Sequence, residues 1–598
     1  MIGGKLRKIF YQRYIMAQAG DNPNPINGSL VNNRNLYQFD QSTEKPGRFK
    51  YLDPLPLLDT NPNNQKGVDT IPTKENFSAT YHAEKLAAAI LPLASNLLLA
   101  KARGIFDRFD KLDDYADNIF VTVPLPEVAN NYTTDMSFAN QRLAGVNPVV
   151  ISKVVPDSDL AVEIANLLDE SREDFHPIDI AERFANGHIY ITDYTGDDPK
   201  YPTPGNIAGG TYDSKLRKYL PKPRAFFCWR DIGIEDLGEL IPIAIELRGD
   251  GDNSRLYTPS DNDQDWFYAK LCVQVADSNH HEMVTHLCRT HFAMEAFAVA
   301  TARQLDERHP LNLLLTPHFR FMIANNHLGR QQLINPGGKV DELLAGSLTD
   351  SLTITTDYYR RWDFKEDSFI NDLKARGVND DRHLPHYPYR DDGTLIWNAI
   401  IEYVGNFLEY YYPDLTNINN DTQLQEWARE LATVANIKGM PNSIDSVSTL
   451  TEIVSNLIFT CGPLHSAVNY SQVDYMGFVP NQPLAAYLDP KPNSRENPIS
   501  EAEILNFLPP FQRTMDQLTI LYFLSAYRYD RLGYYDRTYQ DLYQQNTEDI
   551  FGTEINQIIL EFQQKLKEIG NIIDRRNSKR LIKYPYFHPD LITNSISV

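Results

Sequence analysis

The stretch HEMVTHLCRTH, residues 281–291, sets His281, His286 and His291 five residues apart. A zinc-protease helix writes H-E-x-x-H, because two histidines four apart on an α-helix share a face and the Glu lies beside the metal. Here the interval is one residue too long. At 100° per residue, positions i and i+5 lie about 140° apart on an ideal α-helix, so neighbouring pairs cannot both point at one ion. A local widening to i→i+5 hydrogen bonding, a π-bulge, brings them together, and such bulges favour functional sites. The interval predicts metal binding on a deformed helix without naming the metal.

The 598-residue chain is 42% hydrophobic, 11% aromatic and 23% charged. That is the balance of a soluble globular enzyme with a large core, and nothing repeats at a fixed period. A net charge of -22 and a pI near 5.1 argue against nucleic acid as a partner, since a phosphate-binding surface needs clustered positive charge. Cys228, Cys272, Cys288 and Cys461 are scattered and form no C-x-x-C pair; they read as buried free thiols in a reducing, cytoplasmic setting. Arg7, Lys8 and Arg13 interrupt any secretory apolar core at the N-terminus. The longest apolar run, LAAAILPLASNLLLA (86–100), is short for a membrane span and is broken by Pro92, Ser95 and Asn96. It reads as a buried helix, with a membrane-surface helix as the alternative.

Residues 1–19, MIGGKLRKIFYQRYIMAQA, carry Lys5, Arg7, Lys8 and Arg13 among Leu6, Ile9, Phe10, Tyr11, Tyr14 and Ile15, with no acidic residue. This fits a basic interfacial helix peripheral on anionic lipid, and equally a frayed tail or a helix docked on its own domain. GDNPNPINGSLVNNRN (20–35) is a linker by composition. The expected organisation is therefore an extension and linker over 1–40 and one large domain over 41–598. Helical periodicity dominates from about residue 80, with shorter β-like runs at HIYITDY (188–194), AFFCW (225–229) and LIPIAIEL (240–247), and a long loop at 196–213. The fold class is mainly α with small β-sheets.

Further ligands for an ion must come from elsewhere, and LHSAVN offers them: His465 and Asn469 are four apart in an otherwise apolar segment, so both can face one way from a helix. With this second segment the chain resembles the lipoxygenases. HEMVTHLCRTHFAMEAFAVATARQLDERHPLNLLLTPHFR (281–320) is similar to that family's iron-binding helix, and LHSAVN to its second ligand helix. FANQRLAGVNP (138–148), ELIPIAIEL (239–247), YPYRDDGTLIWNAI (387–400) and the ending TNSISV (593–598) follow in the family's order, from about residue 110 to the end. The resemblance implies a helical catalytic domain built around a long, π-bulged ligand helix. The implied ligands of one non-haem iron are His286, His291, His465, Asn469 and the main-chain carboxylate of Val598, with His281 outside the ligand set. In the family, Fe(III)-OH takes a hydrogen atom from the CH2 between two cis double bonds, O2 adds to the pentadienyl radical, and a hydroperoxide results. The substrates so implied are O2 and a polyunsaturated fatty acid or its lipid ester.

Some positions depart from the family or carry its specificity. Glu282 stands where the family usually has Gln, in an amide link whose other member is Gln472; a carboxylate accepting from Gln472 keeps the link, whereas a Glu facing solvent or a salt bridge loses it. Gly329 matches the position where S-producing members carry Ala and R-producing members Gly, so the resemblance implies R products; close packing is the other use of a glycine. Leu333 and Val340 match side chains that clamp the pentadiene, and otherwise read as core. Gln482 replaces an Arg that some relatives keep at the pocket floor, which favours a substrate that enters methyl end first. Few residues precede the first catalytic helices, as expected of a minimal bacterial type without the N-terminal β-sandwich. The rival readings are a zinc hydrolase with Glu282 as general base, and a hydroperoxide isomerase on the same fold.

Overall fold

The computed structural model describes residues 51–598 except 53–54, 60, 62–70, 104–108, 157, 170–182, 185, 197–210, 214–215, 235–236 and 250–252. The basic stretch 1–19, the linker, the 40/41 boundary and most of the loop expected at 196–213 lie outside the described residues.

One unbroken helical run, 263–304, passes through the centre. Asn262 caps it, its side-chain oxygen accepting from the Asp265 N–H at 3.0 Å, and Asp263 and Asp265 complement the positive end of the helix. Asp263–His280 is α-helical, His281–Phe292 is π-helical, and Ala293–Gln304 returns to α. At ~1.5 Å per residue the run extends roughly 60 Å. Nearly all its side chains are buried, so its polar residues must be matched by protein. Asp277 accepts from Asn147 Nδ2 at 2.8 Å, Tyr194 Oη at 2.6 Å and Gln482 Nε2 at 3.1 Å, and pairs with Arg142 at 3.2 Å. Gln482, expected at the pocket floor, is thereby corrected to a partner of Asp277 in this buried network. The carboxylate, a turn before the π segment, needs every donor it can reach.

The β-like runs are the middle strands of a five-stranded antiparallel meander. Ser152–Lys153, Ile189–Asp193, Lys222–Ile234, Leu237–Arg248 and Ser254–Tyr257 lie side by side in that order. Ile189 pairs with Cys228, and Ala225 with Ile245. Phe227 and Trp229 face the main helical core, while Phe226 and Cys228 face a smaller cluster with Ile164. Both faces of the central strands are covered, so AFFCW reads as a continuous apolar run where a half-exposed strand would alternate. The four cysteines are free and buried.

Residues 79–103 form a helix with a π-turn at Leu86–Ile90. The expectation of a buried helix here is corrected: Leu98 is 72% and Leu91 56% exposed, while Leu93, Asn96 and Ala100 are buried. The segment is apolar almost all round, so composition gives no sign of which face is outside. By length and composition alone, Thr73–Arg103 could cross a membrane; here its inner face packs on the domain.

Asn96 fastens that inner face. Its Nδ2 donates to the Ile119 carbonyl at 2.9 Å, and its Oδ1 accepts from the N–H groups of Val121, Thr122 and Val123 at 2.9, 2.8 and 3.0 Å. Asn96→Ala should cost about 2–3 kcal/mol by leaving these groups unpaired. Amide exchange over 91–103 should then speed up about 30-fold or more. Unaltered exchange rates would refute the anchoring role.

Candidate metal centre

The i→i+5 winding of His281–Phe292 brings the His291 ring edge-on to His286, with centroids 4.9 Å apart. Their Nε2 atoms are 3.2 Å apart. His465 closes the cluster, its ring centroid 5.6 Å from His286 and 5.1 Å from His291. One ligand nitrogen from each ring can be chosen so that all lie within 4.8 Å of one another, which is a group that could hold a metal ion. The opposite nitrogens have oxygen acceptors: His286 Nδ1 is 3.2 Å from Glu282 Oε2, and His291 Nδ1 is 2.9 Å from Asn326 Oδ1. Each Nδ1 therefore carries the proton, leaving the Nε2 lone pairs to converge. Burial pushes His286 and His291 down to about 3, and burial with the neighbouring imidazoles holds His465 well below its ordinary value. Both nitrogens of the fully buried His465 lack a hydrogen-bond partner among the described residues. Neutral rings and an orphaned buried nitrogen fit a metal ligand set. His281 lies outside the cluster, its Nε2 2.9 Å from the Val468 carbonyl.

The segment around His465 is shaped by Pro463. Val447–Phe459 passes through a π-turn at Thr460–Leu464 into His465–Asn469, and a proline in mid-helix has no N–H and crowds the carbonyl four residues back, which the wider turn relieves. Beside it, a Cβ on Gly462 would stand 2.7 Å from the Thr593 carbonyl oxygen. The glycine lets the C-terminal segment pass against the helix. Asn469 is held by donation from Gln472 Nε2 to its Oδ1 at 3.1 Å and by its own Nδ2 to the Leu524 carbonyl at 2.9 Å.

The last six residues are wholly buried. The Thr593 N–H donates to Ser466 Oγ at 3.1 Å, Asn594 Nδ2 to Asp530 at 3.0 Å, Ser595 Oγ to the Arg320 carbonyl at 2.8 Å and Tyr81 Oη to the Ser597 carbonyl at 2.7 Å. Val598 ends this segment in the wall of the cavity that also contains His286 and His291.

That cavity, about 740 Å3, brings together Glu282, Gly329, Leu333 and Val340 with those three residues. Gln472 is placed otherwise than expected. Its amide nitrogen goes to Asn469 and stands 3.5 Å from His286 Nδ1, so Gln472 and Glu282 converge on one imidazole edge, and the direct Glu282–Gln472 link is not formed. The Gln472 oxygen has no donor among the described residues. Burial raises the Glu282 carboxyl above its ordinary value. Its position also removes the hydrolase reading, because a general base for metal-bound water would have to stand on the Nε2 side. Sequence reasoning missed Asn326, whose Nδ2 also donates to the His291 carbonyl at 2.8 Å. It missed as well the wall contributed by Ile90, Leu93, Ala94 and Leu97 from the helix at 79–103. Asn326 lies in FMIANNHLGR, three residues before Gly329, but no spacing ties it to a histidine 35 residues earlier.

Residues 212–585 match the lipoxygenase family model. The chain is 30% identical over 597 residues to the allene oxide synthase-lipoxygenase protein of Plexaura homomalla, covering 94% of this chain and 52% of that one, so it spans about half that relative's length. It is 31% identical over 520 residues to the linoleate 9/13-lipoxygenase of Pseudomonas aeruginosa, covering 85% and 72%. The crystal structure of a coral 8R-lipoxygenase superposes with a TM-score of 0.78 at 27% identity, over 97% of this chain and 82% of that one.

His286→Ala, His291→Ala and His465→Ala should each purify with little bound metal by plasma emission spectrometry, since each removes a strong donor. Asn469→Ala, losing a weak one, should keep more. Residues appended after Val598 should also lower bound metal while circular dichroism stays unchanged. A full complement of metal in any of the histidine variants, or in the extended chain, would overturn that part of the ligand set.

Proposed function

The chain belongs to the lipoxygenase family, and on that premise we propose that it is a non-haem iron dioxygenase which adds O2 to polyunsaturated fatty acyl chains to give R-configured hydroperoxides. One observation carries the reading: Gly329, Leu333 and Val340 share a single, mostly apolar cavity with His286, His291 and Val598. Neutral imidazoles, the Asn469 amide and the Val598 carboxylate form an all nitrogen-and-oxygen donor set, which suits iron and avoids the thiolates preferred by softer ions. Bound there, iron supplies the one-electron oxidation needed to take a hydrogen atom from a bis-allylic carbon. The chain does the rest: its apolar wall excludes water, Leu333 and Val340 hold the pentadiene, and Glu282 fixes the Nδ1 proton of His286.

Gly329 directs oxygen in this reading. It sits inside the helix Met322–Gln332, is absent from the positive-φ glycines, and an added Cβ would meet Leu333 Cδ1 alone, at 3.9 Å. The space a methyl would fill is therefore open to O2. Gly329→Ala should keep the fold and gain up to ~1 kcal/mol of helix stability. Chiral chromatography of linoleate products should show a mainly R wild type and a raised S fraction in the variant. A mainly S wild type, or an unaltered pattern in the folded variant, would remove Gly329 from stereocontrol. Oxygen uptake alongside conjugated-diene absorbance tests the activity itself; consumption of added hydroperoxide without oxygen uptake would favour the isomerase.

The reading also places the chain, an extension over 1–40 and a catalytic domain over 41–598, at a lipid surface. Residues 1–19 are basic and apolar, and Leu91, Leu98 and Leu99 are exposed on the helix that also carries exposed Lys101 and Arg103. Deleting 1–19 should weaken sedimentation with anionic vesicles, and added salt should weaken it in the full chain. Equal sedimentation with and without the segment would reduce it to a tail.

A further inference from the structure

Behind the cavity wall, the helical run 263–304 meets the helix Met322–Gln332 through a second polar contact. Glu295, four residues after His291, is fully buried and pairs with Arg330, itself 3% exposed. His291 is held by Asn326, and Arg330 follows Asn326 by four in turn. Residues four apart share a helix face. The two stretches therefore run in the same sense and meet on two polar rungs one turn apart, His291 with Asn326 and Glu295 with Arg330. Gly329 stands beside the second rung, in the cavity wall that Asn326 also enters.

As a source of stability the second rung is weak. Glu295 Oε1 and Arg330 Nε and Nη1 make no hydrogen bond among the described residues, and a buried ion pair with such groups left over is often less stable than apolar side chains of similar size. Burial raises the Glu295 carboxyl above its ordinary value, and Arg330 and Asn326 act against that rise. What the pair does supply is register, because neither charge can slide away from the other without being stranded in the core. The entry to the same helix is strained: Phe321, fully buried, has φ 64°, in the left-handed region that a bulky side chain avoids. Strain of that kind persists only where the surroundings over-determine the path of the chain. The helix is thus fixed at its start by Phe321 and in its last turn by Arg330.

We propose that Glu295 and Arg330 are positioning residues: their pair pins the helix Met322–Gln332 to the helical run 263–304, and so sets where Gly329 stands relative to His291 and how firmly Asn326 holds the His291 Nδ1 proton. Neither side chain is in the cavity wall, so both act through their neighbours. The inference rests on the reading of Gly329 as the residue that directs oxygen, and it extends control of stereochemistry to a pair behind the wall.

Glu295→Leu combined with Arg330→Met removes both charges at once and strands neither, so the fold should survive with an unfolding temperature at or above that of the wild type. In that variant the R:S ratio of linoleate hydroperoxides should fall about tenfold, as a small displacement of the reacting geometry would cause. In cobalt(II)-loaded protein the His291 Nδ1 proton, shifted in proton NMR spectra by the paramagnetic ion, should exchange with water about tenfold or more faster than in the wild type. A pair that served stability alone would lower the unfolding temperature and move neither reading. Glu295→Met with Arg330→Leu repeats both measurements if the first combination does not fold. A wild-type R:S ratio or wild-type proton exchange in a folded apolar variant would overturn the proposal. A wild type that takes up no oxygen with linoleate would lose the dioxygenase reading, and proton exchange would still decide whether the pair fixes Asn326 on His291.

Discussion

The π-helical winding of His281–Phe292 is the constraint on which the rest of the molecule depends. It brings an i, i+5 pair of imidazoles to one side of a helix, at the cost of a less regular hydrogen-bond ladder than the α-form. That cost is offset by burial on every side and by α-helix at both ends. The polar residues next to it are matched by fixed partners: Asp277 by Arg142, Asn147, Tyr194 and Gln482; His291 by Asn326; Thr285 by Asn147 at 2.8 Å. A helix so crowded has little freedom to relax back to the α-form, and the imidazoles stay aimed at one another.

The second constraint is that residues 593–598 run buried through the core. The route for the last six residues is prepared by what lies beside them: Gly462 has no side chain where the Thr593 carbonyl passes, Ser466 receives the Thr593 N–H, and Asn594 is clamped through Asp530. Pro463 acts from the other side by widening the helix immediately before His465. The candidate metal centre is in this sense two deformed helices with the buried segment 593–598 beside them, each held by backbone polar groups that have no water to turn to.

The helix at 79–103 joins the site to the outside. Its inner face contributes Leu93 and Leu97 to the main cavity, its outer face presents Leu91 and Leu98, and its Tyr81 donates to the Ser597 carbonyl. Cavity wall, exposed apolar surface and C-terminal anchor therefore belong to one element. A displacement of that element would be felt at all of these places together.

By itself the sequence determined the interval of five, the four-residue spacing of His465 and Asn469, and the order of segments that resembles one family, because periodicity and covalent order are local properties. The helical class and the middle strands were legible for the same reason. Only the tertiary structure decided that Gln482 belongs to Asp277, that Gln472 and Glu282 meet at His286 instead of each other, and that Asn326 holds His291. It also decided that LAAAILPLASNLLLA has an outer face, since a segment apolar all round carries no mark of which side the protein covers. These outcomes depend on contacts between residues far apart in the chain, 205 positions for Asp277 and Gln482 and 186 for His286 and Gln472. Which buried polar group finds which partner over such separations is settled by packing, where every donor competes for the same few acceptors once water is excluded.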